Sequence, residues 1–252
     1  MSSPLFWNLP HELRRLVFVN LSSERRNHIH NLREKDPEHR DISSLIPFLQ
    51  TRSIFVHIPK AAGTSAVYSL YGRKAGDHRT IADYQLCFSQ KEFDSFFKFA
   101  FVRNPWDRLL SAYLYLKQGG RNREDQEWAE TYLCIFETFT QFVQQWVNEE
   151  NIQLGLHFRP QSDFLCTHKA QLAVDFIGYL EDIDRDYEYI RGKLGIGQPL
   201  KTRNQTMHRE KDYRQYYSNE TIQIVERVYQ QDIALLGYTF EGIEKKSQQG
   251  RE

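Results

Sequence analysis

Hydrophobic and polar positions alternate along the chain in a way that separates short buried strands from amphipathic helices. Ile54-Phe55-Val56-His57-Ile58 is a β-rich run closed by Pro59. Small residues follow, and then an apolar-periodic stretch to about Tyr71, so the segment reads as strand, loop and helix. Phe97 to Val102 is nearly continuous in apolar residues, the pattern of a strand covered on both faces. It ends at Arg103-Asn104-Pro105, where Asn104 can cap a helix and Pro105 suits its first turn; that helix is predicted to run to Lys117, ahead of Gly119-Gly120. Further helices are predicted over about 137–149, 183–194 and 219–236, with a third strand at Asp175 to Leu180. Residues 1–50 mix short apolar clusters with the charged stretch Arg33 to Arg40 and predict a small helix near 10–20 followed by a loop.

Strands alternating with helices imply an α/β fold with a central parallel sheet flanked by helices; the fold class expected is a single P-loop-like domain. The expected organisation is an N-terminal helical and loop appendage at 1–50 and one domain at 51–252. A chain of 252 residues, 40% hydrophobic and 14% aromatic, has the means to build a sizeable core, which excludes disorder as its main state.

Charge changes the picture only when it is located. The 33 basic and 33 acidic residues cancel, so the chain is no polycationic coat for nucleic acid, and no nucleic-acid partner is expected. Residues 51–123, however, hold 12 Lys and Arg against 5 Asp and Glu, whereas residues 124–200 hold 5 against 14. A block that basic suits an anionic ligand, although two opposite blocks also attract each other across a fold. Cys87, Cys134 and Cys166 are odd in number and lack C-x-x-C spacing, which argues against a disulfide framework and a four-ligand zinc site. No apolar run approaches bilayer length, and the first residues lack a secretory signal pattern. A soluble, cytoplasmic chain is the expectation.

Two motifs narrow the anion. In His57-Ile58-Pro59-Lys60-Ala61-Ala62-Gly63-Thr64-Ser65 a strand delivers a lysine, small residues and two hydroxyls into the start of a helix. Pro59 closes the strand, Ala62 and Gly63 let backbone approach an anion, Thr64 and Ser65 add donors, and Lys60 adds a mobile charge. The order differs from G-x-x-x-x-G-K-[ST], in which lysine follows the glycines and directly precedes the magnesium-binding hydroxyl. An ordinary capped helix after a strand is the blander alternative. The second motif places Arg103 at the carboxyl end of a strand, the rim where open α/β sheets bind ligands, and Ser111 two helical turns after Asn104. Guanidinium and hydroxyl suit a phosphate, although Arg103 can instead pair with a carboxylate and Ser111 with its own helix backbone.

Together, Ile58 to Ser65 and Phe101 to Tyr113 resemble the PAPS-dependent carbohydrate sulfotransferases, the group that includes the uronyl 2-O-sulfotransferases and the chondroitin, dermatan and HNK-1 enzymes. The likeness continues more loosely to Tyr238 and covers about residues 52–240. It implies that the first motif is the 5′-phosphosulfate loop and the second the 3′-phosphate element. It also implies a transfer of the sulfuryl group from PAPS to an acceptor hydroxyl, that of a glycan by resemblance, with no metal. The Golgi members carry a membrane anchor and luminal stem that this sequence does not show, so the expectation is either a soluble, bacterial relative or a truncated chain, with a Golgi lumenal setting only in the second case. The stretch Lys201 to Arg209, with Asn204 and Thr206, resembles the family's late loop that closes over the cofactor.

The acceptor proton needs a base, for which a neutral histidine is suited near pH 7. His78 lies between the two motifs, where the uronyl 2-O-sulfotransferases carry their catalytic histidine. His157 is its rival, in an H-x-x-P-Q element similar to the chondroitin and HNK-1 branch. Two other readings stand beside sulfotransfer: a module that binds PAP or sulfated glycans without catalysis, and a P-loop kinase, which the lysine–hydroxyl order disfavours.

Overall fold

In a computed structural model of the protein, residues 4–35, 41–200 and 212–244 are described. The chain divides into two compact units, Met1–Val102 with Asp163–Arg203, and Arg103–Ser162 with Asn204–Glu252.

The first unit holds the sheet. Three parallel strands, β1 (Ser53–Val56), β2 (Phe97–Val102) and β3 (Phe176–Tyr179), lie in the order β1-β2-β3, with Phe55 opposite Phe99 and Phe101 opposite Gly178. Every residue of β1 is buried, and so is all of β2 but Phe97, which explains why both read as apolar runs. Helices Gly63–Tyr71 and Ile183–Leu194 follow β1 and β3. The fold is therefore α/β, with a parallel sheet flanked by helices, as the alternation of patterns predicts. No helix of the described residues is long and apolar enough to cross a membrane.

One residue of β2 breaks its apolar run. Lys98 is buried, and its ammonium donates to the carbonyls of Phe93 and Phe96, at the end of helix Gln90–Ser95, and pairs with Asp175 at 2.9 Å. Backbone bonds link Lys98 and Asp175 in both directions: Asp175 N–H donates to the Lys98 carbonyl, and its carboxylate accepts from Lys98 N–H.

The N-terminal residues depart from the expected loop. Helix His11–Asn20 is followed directly by helix Ser23–Glu34, which Ser22 caps by accepting from Arg25 N–H. Only Ile29 and Leu32 of this second helix are buried, so its sequence carries too little apolar periodicity to announce it. In the first helix the buried residue is Arg14, bonded to the Trp7 carbonyl and to Gln85, while Leu13 and Leu16 face outward. Arg33 grips Glu92 through two hydrogen bonds of 3.1 and 2.6 Å.

The second unit is helical, with a small antiparallel pair, β4 (Tyr238–Thr239) and β5 (Gly242–Ile243). Helix Pro105–Lys117 starts on Asn104, whose side chain accepts from Trp106 N–H, with Pro105 in the first turn. Trp106, Leu110, Phe142, Trp146, Phe158 and Val225 belong to one aromatic-rich core. The helix expected at 219–236 breaks at Tyr229 into Asn219–Val228 and Gln230–Leu236. Tyr229 is buried and its hydroxyl donates to the Phe158 carbonyl at 2.7 Å, a long-range tie that local periodicity does not register.

Candidate functional site

β1 ends at Val56, and the chain then turns through residues 57–62 before helix Gly63–Tyr71 begins. The turn takes two non-glycine residues into the left-handed region, Lys60 at φ 67° and Ala62 at φ 60°. Ala62 is the residue before the helix and offers no side chain to its first N–H groups. A left-handed backbone costs on the order of 1 kcal/mol per residue and tends to persist where function holds it. Here it brings Lys60, Gly63, Thr64 and Ser65 together at a helix start, an arrangement suited to an anion. Pro59 and Gly63 are buried, and Lys60 and Thr64 half-buried.

His78 belongs to the same unit. Its loop is pinned by Gly76 N–H donating to the Ser44 carbonyl, by Asp77 N–H donating to the Ile42 carbonyl, and by Arg79 reaching the carbonyls of Ser43 and Gly76. Asp77 also takes a left-handed conformation. His78 Nδ1 lies 2.8 Å from the carbonyl oxygen of His57, the residue that opens the turn after β1. A carbonyl can only accept, so Nδ1 carries the proton and, in the neutral ring, Nε2 keeps the basic lone pair.

His57, which sequence reasoning treated only as a strand residue, sets this geometry. Its ring stacks on Phe55 and lies 4.2 Å from the His78 ring, centroid to centroid. Its other neighbour is Gly63: a Cβ there would fall 2.0 Å from His57 Cδ2 and 2.3 Å from Nε2. Burial first, and then the nearness of His78 and Lys74, push His57 well below the usual histidine range, so it is neutral near pH 7. The nearest sequence signal for this contact is the glycine itself, six positions after the histidine.

In the second unit, Arg103 Nε meets the Asp107 carboxylate at 2.6 Å, one of the pairings its sequence left open. Asp107 and Ser111 are one turn apart on helix Pro105–Lys117. Ser111 Oγ is buried and, among the described residues, has no hydrogen-bond partner, so it does not bond back to its own helix. A buried hydroxyl left in this way costs free energy unless a ligand oxygen or water satisfies it, and a phosphate oxygen fits that need.

His157 sits elsewhere in that unit, in a structural network. Its Nε2 bonds Asp125 at 2.9 Å, while Tyr115 donates to the other oxygen of Asp125 at 2.5 Å. Burial raises the Asp125 carboxyl, but hydrogen bonds from His157 and Tyr115 outweigh it and hold the group at about 2. Arg108, buried, donates to the backbone carbonyls of His157 and Arg159. The end of the same element reaches Arg103: Gln161 Oε1 accepts from Arg103 N–H at 3.0 Å, and Gln161 Nε2 donates to the Arg103 carbonyl at 2.8 Å. Asp125 was not singled out from sequence and Gln161 only as the end of the H-x-x-P-Q element, because their partners lie 32 and 58 positions away.

The sequence-expected residues thus fall in two sets. Pro59, Lys60, Ala62, Gly63, Thr64, Ser65 and His78 gather in the first unit, and Arg103, Ser111 and His157 lie in the second. Asn204 and Thr206 lie outside the described residues.

A family profile described as the sulfotransferase family matches residues 50–239. An uncharacterized protein of Archaeoglobus fulgidus is 31% identical over 117 residues, which are 46% of this chain and 82% of that protein. Carbohydrate sulfotransferase 14 of Danio rerio is 32% identical over 119 residues, 42% of this chain but 32% of that protein's length. No solved structure matches the chain.

Proposed function

Since the chain belongs to the sulfotransferase family, we propose that it moves a sulfuryl group from PAPS to a hydroxyl of a carbohydrate acceptor. The observation that carries this reading is a helix-start loop holding Lys60 in the unit where His78, with Nε2 basic, hydrogen-bonds the loop's first residue. The carbohydrate class rests on the Danio rerio relative, whose name states it and of which this chain spans about a third.

Bound PAPS would supply the sulfuryl group and a phosphate as leaving group. Lys60, the hydroxyls of Thr64 and Ser65 and the first N–H groups of helix Gly63–Tyr71 would take the phosphosulfate, and Lys60 would neutralise charge building on the leaving oxygen. Arg103 and Ser111 would hold the 3′-phosphate; the Ser111 hydroxyl, buried and without a partner among the described residues, supports that assignment. Asn204 and Thr206 would contribute from the late loop. His78 Nε2 would accept the acceptor's proton as the new O–S bond forms and the bond from sulfur to the phosphate oxygen breaks. His157 is the weaker base: with Nε2 on Asp125 its basic nitrogen is Nδ1, which is buried away from an incoming hydroxyl.

The test is turnover of labelled PAPS over a panel of hydroxyl acceptors, with His78→Ala and His157→Ala alongside. His78→Ala is expected to lower turnover by about a hundredfold or more, to remove the acidic limb of the pH–rate profile and to leave PAP affinity nearly unchanged. If His157→Ala gives that pattern and His78→Ala does not, the base is His157. PAP binding without transfer to any hydroxyl would favour a binding module instead.

A further inference from the structure

Resting on the reading of Arg103 as a 3′-phosphate ligand, we propose that Gln161 is the positioning residue that gives the protein its preference for nucleotides carrying a 3′-phosphate. The Gln161 side chain is buried and its amide closes on both backbone polar groups of Arg103, accepting from the N–H and donating to the carbonyl. A side-chain amide bonded in this way fixes the peptide units on either side of Arg103, and with them the direction in which the side chain leaves the backbone. Asp107, at 2.6 Å from Nε, then sets the orientation of the guanidinium one turn before Ser111.

Gln161 is itself held from behind. Its own N–H donates to Asp232 Oδ2 and that of Ser162 to Oδ1, both at 2.7 Å, and Asp232 is fully buried. Arg108 fixes the preceding carbonyls, and Tyr229 holds that of Phe158. Such a support exceeds what packing a loop requires. It spends a buried carboxylate and a buried guanidinium on a short segment whose last side chain contacts the backbone of the phosphate-binding arginine. The expectation is a sub-ångström placement effect on one ligand group, with no contact between Gln161 and the nucleotide.

The experiment compares PAP with AMP by isothermal titration calorimetry, in wild type, in the near-isosteric Gln161→Met and in Asp232→Asn, with melting temperatures recorded for each. Gln161→Met is expected to reduce the PAP-to-AMP affinity ratio by about tenfold or more while AMP affinity changes by less than about twofold. Asp232→Asn, which keeps its shape and one acceptor oxygen, should move the ratio in the same direction by less; it also serves if Gln161→Met does not fold. A purely structural role would lower the melting temperature and weaken both nucleotides alike. A ratio unchanged in a folded variant overturns the proposal alone. Wild type that binds AMP as tightly as PAP overturns the Arg103 assignment and the proposal with it.

Discussion

Replacing Gly63 by alanine adds one methyl group at the tightest point of the first unit. The new Cβ would sit 2.0 Å from His57 Cδ2 and 3.0 Å from Cγ, so the imidazole must move. It has little room: Phe55 lies on one side, and His78, at 4.2 Å, is another ring neighbour. Alanine gains up to about 1 kcal/mol over glycine in a helix, and less at a first helical position. Overpacking costs about 1–3 kcal/mol. The net expectation is a loss of about 1–2 kcal/mol, and at about 2–4 °C per kcal/mol for a chain of this size the melting temperature falls by about 2–8 °C. Because the displaced ring bears on His78, turnover should fall by about tenfold to a hundredfold. Calorimetry and a labelled-PAPS assay read the two effects. Combining Gly63→Ala with His57→Ala removes the clash, so a double-mutant cycle should show a coupling of about 1 kcal/mol or more. A Gly63→Ala protein with wild-type melting and turnover, or a strictly additive cycle, refutes the reasoning.

Two further outcomes concern Lys60 in the first unit and Asp125 in the second. Lys60→Ala should raise the transfer barrier by about 2–4 kcal/mol with little effect on melting, because a charge aimed at a leaving oxygen acts mainly in the transition state; retention of more than a tenth of wild-type turnover contradicts that role. Asp125 has a carboxyl depressed from 3.8 to about 2, so it binds protons more readily unfolded than folded; its contribution is present above pH 4 and is lost as pH falls through about 2. The difference of about 1.8 pH units corresponds to about 2 kcal/mol, so urea unfolding of Asp125→Asn should show a stability loss between about pH 4 and 2 shallower by that amount. A constant offset from wild type across that window would contradict the assignment.

Strands β1 and β2, the Asn104 cap and the turn at 57–62 into its helix were legible because each depends on neighbours close in sequence: apolar runs, a capping side chain, a proline, small residues before hydroxyls. The second N-terminal helix was not, since Ile29 and Leu32 are its only buried residues. Outward-facing Leu13 and Leu16 beside an inward Arg14 invert the usual amphipathic signal, because the arginine finds its partners at Trp7 and Gln85. In the candidate site, residue types were readable but their pairings were not. Nothing local says that His57 offers its carbonyl to His78, that Asp125 takes up His157, or that Gln161 closes on Arg103. Each is a contact between distant segments, fixed only once tertiary packing is complete.

Lys98 bears on how the sheet assembles. β3 must find β2 although Asp175, which leads into it, comes 77 positions after Lys98. The entropy of closing so long a loop grows only slowly with length, so what limits the search is less reaching β2 than choosing where along it to land. Parallel apolar strands are poor at that choice, because a slipped alignment still buries hydrocarbon. A charged latch is not: shifted by one residue, β3 would carry Asp175 away from Lys98 and leave a buried ammonium with carbonyls alone. One ionic pair thus helps to give a largely apolar seam a single seat for its third strand, and a distant part of the chain an address.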